Sequence, residues 1–155
     1  MIIDAMDSEF DNLDHMGWTT IMMIDNRSSK LGSEVYQLLG DIEDRLHEAS
    51  QEALNLTELY FTTTLVIRMD PEPVMDARQY DPNYNAFSSH SDQSNHGSTD
   101  YGALLYLNTH GKDFGAGELV FNDNDINRRI RPKTGRAVIY TAGLESLHSA
   151  RRVTW

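Results

Sequence analysis

The second half of the chain is a succession of short segments rich in β-branched, aliphatic and aromatic residues, and turns that contain Gly, Asn and Asp separate them. Short segments at this spacing predict an antiparallel sandwich or barrel. An earlier segment of the same type precedes a helical region. The predicted strands are residues 17–24, 59–69, 101–108, 118–122, 136–141 and 149–155.

Residues 29–54 have the pattern of one amphipathic helix. Their apolar positions recur every three or four residues, which places them on one face, and this face is expected to cover a sheet. The proline-containing stretch 70–81 predicts an irregular connection. Residues 122–127 (NDNDIN) lack the glycine and the distant glutamate of an EF-hand, so they predict a hairpin tip rather than a calcium loop.

Composition limits the chemistry and the partners. The 155 residues are the size of one domain, in which the helical part, about 1–56, would support a β core at about 57–155. With no cysteine, a metal site must use nitrogen and oxygen ligands. The net charge of −11 opposes nucleic acid as a partner, and no apolar run approaches the roughly 20 residues that would insert this segment into a membrane.

His90 and Asp92 are separated by one residue, and on a strand both side chains would project from the same face. A third ligand must come from elsewhere, and His148 directly precedes a predicted strand. Two His and one carboxylate are the facial triad of non-haem iron(II) oxygenases, which leaves coordination positions open for reaction. An H-x-D tripeptide is common by chance, so its sequence context decides its meaning.

That context resembles the iron(II)- and 2-oxoglutarate-dependent dioxygenases, in particular the prolyl 3-hydroxylases and the prolyl 4-hydroxylase-like oxygenase-domain proteins. The family pattern is H-x-D, a strand ending in Y-L-N, a glycine-rich hairpin before E-L-x-F, then P-x-x-G-R and a distal histidine. The chain matches it in order and spacing. The matching segments are 100–108 (DYGALLYLN), 113–121 (DFGAGELVF), 131–138 (RPKTGRAV) and 142–148 (AGLESLH).

The resemblance implies a double-stranded β-helix, or jelly roll, with the helix flanking it. It implies that His90, Asp92 and His148 bind iron(II), and that Tyr106 and, less securely aligned, Tyr80 bind 2-oxoglutarate. The implied reaction uses O₂ to hydroxylate a residue of a protein or peptide substrate, proline first, and releases succinate and CO₂. Ascorbate would support it, and the family's usual compartment is the endoplasmic reticulum, with the cytoplasm as the alternative.

The chain departs from this pattern near its end. The family carries an Arg or Lys about ten residues after the distal histidine, on the final strand, where it pairs with the distal carboxylate of 2-oxoglutarate. That position would fall beyond Trp155. The expectation is therefore a C-terminally truncated domain without its last strand, whose open sheet edge would pair with another chain.

Other interpretations remain open at this point. A cupin is disfavoured because it carries H-x-H and a nearby Glu, whereas a degenerate oxygenase or non-catalytic jelly-roll binding module agrees with the missing basic residue. Tyr106 taken alone would be a core aromatic residue, and His148 taken alone would be a surface histidine. His96 and His110 are expected to be solvated, because both fall in segments that predict loops.

Overall fold

A computed structural model of the chain describes residues 3, 19–24, 33–71, 85–122 and 126–155, and only the backbone at 19–24, 85–87, 95 and 96. The chain divides into two compact units, Met1–Arg68 and Met69–Trp155. Among the described residues, no helix has both the length and the apolarity needed to cross a bilayer.

The first unit contains one long helix and a two-stranded sheet. Strand β1 is Thr19–Ile24, helix α1 is Ser33–Leu54, and β2 is Thr64–Met69, which pairs with β1. The buried residues Val35 and Leu39 lie one turn apart on the predicted apolar face of α1. The helix and both strands are as predicted, except that residues 59–63 precede β2 without regular structure. Residues 17–18 and 29–32 of these predictions lie outside the described residues.

Helix α1 ends in a Schellman motif built around Asn55. Its backbone has a φ of 53°, in the left-handed region that Asn tolerates better than other residues with a Cβ. The Asn55 amide donates to the Glu52 carbonyl, at 3.3 Å, and the Leu56 amide to the Gln51 carbonyl, at 3.0 Å. These bonds satisfy carbonyls that would otherwise lack partners at the helix end.

The second unit consists of two antiparallel sheets. One contains four strands in the order β3-β8-β5-β6 and the other pairs β4 with β7. These strands are β3 Asn85–His90, β4 Tyr101–Leu105, β5 Leu119–Asn122, β6 Asn127–Ile130, β7 Ala137–Thr141 and β8 His148–Arg151. A short helix α2, Asp92–His96, follows β3, and one 3-10 turn, Leu144–Ser146, precedes β8. Pairing between strands distant in sequence confirms the predicted mainly β, jelly-roll class.

The hairpin predicted at residues 122–127 is present, but the second of its strands was not predicted. Strands β5 and β6 pair at Asn122 and Asn127, which confirms that NDNDIN connects a hairpin; residues 123–125 lie outside the described residues. Strand β6 itself was not predicted, because three of its four residues are exposed and the segment NRRI shows no apolar alternation. Among the described residues of this unit, the buried hydrophobic side chains include Leu119, Val120, Ala142 and Val153.

The left-handed backbone at Asn55 allows a test of the helix end. Replacing Asn55 by Ala should lower the free energy of unfolding by about 1 kcal/mol, because Ala tolerates this conformation poorly, whereas Asn55→Gly should not lower it. Urea unfolding followed by circular dichroism measures both variants. Equal destabilisation by Ala and Gly would show that the side chain, not the backbone conformation, matters.

Candidate metal centre

Pairing between β3 and β8 brings together two histidines that are far apart in sequence. His90 is the last residue of β3, His148 is the first residue of β8, and the antiparallel register places them opposite each other. Their ring centroids lie 4.5 Å apart. The structure therefore unites the two imidazoles that the sequence proposed as partners.

Asp92 completes the group, but not from the predicted position. It begins helix α2 rather than continuing a strand, so the expectation that His90 and Asp92 share one strand face is wrong. Ser91 has extended backbone and Asp92 lies in the first helical turn, positions that Ser and Asp favour at a helix start. Even so, Asp92 Oδ1 lies 3.6 Å from His90 Nε2 and 3.6 Å from His148 Nε2.

Backbone carbonyls orient both imidazoles. His90 Nδ1 lies 2.8 Å from the Ser88 carbonyl oxygen, and His148 Nδ1 lies 3.0 Å from that of Ser146. A carbonyl only accepts hydrogen bonds, so in each ring Nδ1 carries the proton and donates. The Nε2 atoms then carry the lone pairs that a metal ion requires.

The second oxygen of Asp92 is held by Tyr140 on strand β7. The Tyr140 hydroxyl donates a hydrogen bond of 2.8 Å to Asp92 Oδ2, which leaves Oδ1 directed at the imidazoles. Burial and the neighbouring carboxylate raise the pKa of Tyr140 far above its usual value, so the phenol remains a donor at neutral pH. Gly102 makes this approach possible, because a Cβ there would lie 2.5 Å from the Tyr140 ring and 2.7 Å from Asp92 Oδ2.

These donor atoms fit a divalent metal ion. One ligand atom from each of His90, Asp92 and His148 lies within 4.8 Å of the others. An octahedral ion with bonds of about 2.1 Å sets adjacent ligand atoms about 3 Å apart, so a small inward movement would complete the group. His148 is buried, whereas the side chains of His90 and Asp92 keep 27% and 22% of their surface exposed, which leaves one side open to solvent.

The other predicted site residues have separate outcomes. Tyr106 lies directly after β4 and is partly buried; Tyr80 lies outside the described residues. His110 is not simply solvated, since its Nε2 lies 3.7 Å from Glu118 Oε1 and its ring packs edge-on against Phe114. His96 ends α2 rather than lying in a loop, and its side chain is outside the described residues.

Sequence reasoning missed Tyr140 and Phe121, which form the aromatic wall of this group. The ring of Tyr140 lies 5.0 Å from that of His148, and the ring of Phe121 lies 5.7 Å from it. The only indication was a tyrosine within the mostly apolar strand AVIYT. Its contact with Asp92 depends on which residues of β4 and β7 are paired, and the sequence does not reveal that register.

Comparison with known proteins agrees with a metal centre that binds iron(II). The family model described as the 2OG-Fe(II) oxygenase superfamily matches residues 75–155. This range contains all three candidate ligands. The sequence is also 34% identical, over 125 residues, to the mouse protein named 2-oxoglutarate and iron-dependent oxygenase domain-containing protein 3. That alignment covers 79% of this chain and 38% of the mouse protein.

The chain also matches other proteins over shorter alignments. The protein of the same name from Xenopus tropicalis is 46% identical over 66 residues, which is 43% of this chain and 21% of the frog protein. Prolyl 3-hydroxylase 2 from Gallus gallus is 41% identical over 58 residues, which is 36% of this chain and 8% of that protein. The chain therefore spans well under half the length of these relatives.

The hydrogen bond from Tyr140 to Asp92 should strengthen metal binding. Tyr140→Phe should weaken the affinity for Co(II) or Fe(II) by about 10- to 100-fold, since Asp92 Oδ2 then loses the donor that orients the carboxylate. Anaerobic calorimetric titration measures the affinity. Tyr101→Phe is the matched control, because Tyr101 lies on neighbouring β4 and projects from the opposite face to Gly102. Equal affinities of the Tyr140 variant and the parent chain would contradict an orienting role.

Proposed function

We propose that this chain, which belongs to the 2OG-Fe(II) oxygenase superfamily, uses iron(II), 2-oxoglutarate and O₂ to hydroxylate a peptidyl residue, with proline as the preferred target. Succinate and CO₂ would be the other products. The observation that carries the proposal is the convergence of His90, Asp92 and His148, within the segment that the family model matches.

Each candidate iron ligand has a defined task. His90 and His148 would bind through Nε2 while their Nδ1–H groups continue to donate hydrogen bonds to the carbonyls of Ser88 and Ser146. Asp92 would bind through Oδ1 only, because its other oxygen accepts a hydrogen bond from the Tyr140 hydroxyl. Two neutral imidazoles and one carboxylate leave a net positive charge on a divalent ion, which favours an anionic co-substrate.

Tyr106 is the proposed donor to the distal carboxylate of 2-oxoglutarate, as the family resemblance implies; Tyr80 is proposed for the same co-substrate on resemblance alone. Burial is the main cause that raises the pKa of Tyr106 to about 12, and the nearby Arg136 charge partly opposes it. The phenol is therefore protonated at neutral pH. A protonated phenol can donate a charge-assisted hydrogen bond to a carboxylate.

When bound, iron and 2-oxoglutarate would together supply the oxidant that reacts with an unactivated C–H bond. The chain itself would orient the bound groups and limit the access of water to the metal centre. Tyr140 and Phe121 cover His148 on one side with their rings, which lie 5.2 Å apart. The partly exposed side, at His90 and Asp92, is the side from which a peptide would approach.

The choice of proline rests on similarity to one relative. The matched segment of prolyl 3-hydroxylase 2 is short, and only that protein's name specifies proline. The net charge of −11 favours a neutral or cationic peptide over an acidic one. Dependence on ascorbate and location in the endoplasmic reticulum remain predictions.

Binding of both cofactors is the first test. Anaerobic addition of Fe(II) and 2-oxoglutarate should produce the visible charge-transfer band of a chelated 2-oxo acid. His90→Ala should abolish the band, because one imidazole ligand is lost, whereas His110→Ala should retain it, because His110 contacts Glu118 and not the triad. A parent chain that shows no band would refute the metal site and favour a non-catalytic binding module.

Turnover tests the substrate class separately. Peptides with a central proline should gain the mass of one oxygen atom and release one succinate per hydroxylation, measured by mass spectrometry and a succinate assay. Matched peptides with alanine in place of proline should not be modified. Hydroxylation at a residue other than proline would keep the oxygenase assignment and overturn the choice of proline.

A further inference from the structure

Residues 128–136, RRIRPKTGR, form a basic segment in an acidic chain. They contain five of its 13 Lys and Arg residues and no Asp or Glu, whereas the whole chain has a net charge of −11. The segment comprises most of β6 and the connection from β6 to β7. At physiological salt, charges further apart than about 8 Å are largely screened. A partner close to this segment would therefore respond to its local positive charge rather than to the net charge.

Three exposed arginines of the basic segment surround one open cavity. Arg129, Arg131 and Arg136 line this cavity of about 670 Å³, whose wall also contains the apolar residues Ile130 and Val138. No acidic residue of the described part of the chain forms an ion pair with any of the three arginines. The cavity thus combines positive charge with an apolar surface, which suits an acidic polypeptide.

Glu118, the acidic residue of the cavity wall, does not neutralise these arginines. It is 8% exposed, its Oε2 atom lies 3.7 Å from Arg151 Nη1, and its Oε1 atom lies 3.7 Å from His110 Nε2. Its charge is therefore directed at other basic groups. A carboxylate that enters the cavity from outside would meet the three guanidinium groups without competition from a carboxylate already paired with them.

The backbone hydrogen bonds of β5 show which groups of β6 face away from the sheet. The Asn122 amide donates to the Leu147 carbonyl, at 2.7 Å, and the Glu118 carbonyl accepts from the Arg151 amide, at 2.9 Å. Both partners lie in β8 or directly before it. In an antiparallel sheet the bonding direction alternates along a strand, so the even-numbered positions of β5 bond towards β8 and the odd-numbered positions bond towards β6.

Strand β6 therefore presents part of its backbone to solvent. Leu119 pairs with Ile130, and Val120 pairs with Arg129. Since Leu119 bonds towards β6, Ile130 bonds towards β5, and the N–H and C=O groups of Arg129 point outward. Strand β6 is the last in the order β3-β8-β5-β6, and within the described residues no further strand covers it. An open edge of this kind can accept an extended segment as an additional strand.

We propose that the β6 edge and the basic segment form a docking surface for an extended acidic segment of a partner protein, which adds to the four-stranded sheet as a fifth strand. Backbone hydrogen bonds to Arg129 fix the position of the added strand. Side chains alternate between the two faces of a strand, so carboxylates at every second position share the face of Arg129 and Arg131. Neither β6 nor the basic segment contains a candidate metal ligand, so the inference goes beyond the proposed function.

Arg136 prepares the surface for a carboxylate. Its Nη1 atom donates to the Arg131 carbonyl, at 2.6 Å, so the guanidinium is held beside the β6 edge before a partner arrives. A guanidinium carries five N–H donors in a rigid plane, and the remaining donors are suited to the two oxygens of a carboxylate.

Charged side chains on an edge strand can instead keep other chains away. That role predicts that no peptide binds at the β6 edge, whatever the charge of the peptide. Measured peptide binding therefore separates a docking surface from a protected edge.

The test compares two labelled peptides of eight residues that differ only in charge. One alternates Glu with Thr and the other alternates Gln with Thr, and fluorescence anisotropy measures their binding to the 155-residue chain. The Glu peptide should bind at least about 10-fold more tightly and should weaken as NaCl is added, because carboxylates pair with arginines and salt screens that attraction. Equal affinities, or no binding of either peptide, would overturn the proposal.

A double variant locates the binding surface. Arg129→Gln combined with Arg131→Gln should weaken binding of the Glu peptide by about 10-fold or more, because two guanidinium partners are lost. The matched control combines Arg45→Gln with Lys112→Gln, which makes the same change in net charge at exposed residues outside the basic segment. It should keep the affinity within about twofold, and thermal unfolding monitors the fold of both variants. Equal losses in the two would show a diffuse charge effect and overturn the assignment to β6.

Methylated peptides test whether the peptide adds as a strand. In an extended chain the amides of alternate residues point to the same side, so only one set of amides faces β6. N-methylation of either the Glu set or the Thr set should abolish binding, and N-methylation of the other set should preserve it. Equal binding of both methylated peptides would show attraction by charge alone and would overturn strand addition.

Sedimentation of the chain without peptide distinguishes a partner protein from a second copy of this chain. The parent chain should remain monomeric at the concentrations of the titration. A dimer that dissociates when Arg129 and Arg131 are both replaced by Gln would assign the surface to a second copy and overturn the choice of a partner protein.

Discussion

The antiparallel pairing of β3 with β8 is the interaction on which the candidate centre depends. It joins segments 58 residues apart and places His90 opposite His148, at the end of the four-stranded sheet. Breaks in the regular register, between Asn85 and Phe87 and between Phe87 and His90, accompany this approach. Such irregularities often occur where a sheet redirects side chains towards a site. Sheet pairing therefore positions the two imidazoles. The backbone carbonyls beside them hold Nδ1 of each ring, so that Nε2 faces Asp92.

The second constraint is the division of the Asp92 carboxylate between two partners. One oxygen accepts the hydrogen bond of Tyr140, from the two-stranded sheet, while the other faces two imidazoles held by the four-stranded sheet. This carboxylate thus links both sheets. The hydrogen bonds between β4 and β7 continue past the ends of these two strands, where the Tyr106 amide donates to the Arg136 carbonyl, at 3.0 Å, and the Gly135 amide donates to the Tyr106 carbonyl, at 2.9 Å.

Much of this arrangement could be predicted from the sequence, because it depends on local patterns. The spacing of Val35 and Leu39 indicated the helix, and β-branched segments indicated most strands. His90, Asp92 and His148 were identified by type and order. The helical setting of Asp92 was missed because a serine and an aspartate after a strand are compatible with either continuation. Tyr140 was missed because its contact with Asp92 is set by strand register, a long-range property that side-chain alternation alone does not specify.

The most direct measurement of the central arrangement is a crystal structure of the chain grown anaerobically with Fe(II), with anomalous scattering to locate the ion. A single peak is expected about 2.2 Å from His90 Nε2, Asp92 Oδ1 and His148 Nε2, with Asp92 Oδ2 still bonded to the Tyr140 hydroxyl. Iron bound elsewhere, or an imidazole that ligates through Nδ1 after releasing its carbonyl partner, would contradict the arrangement.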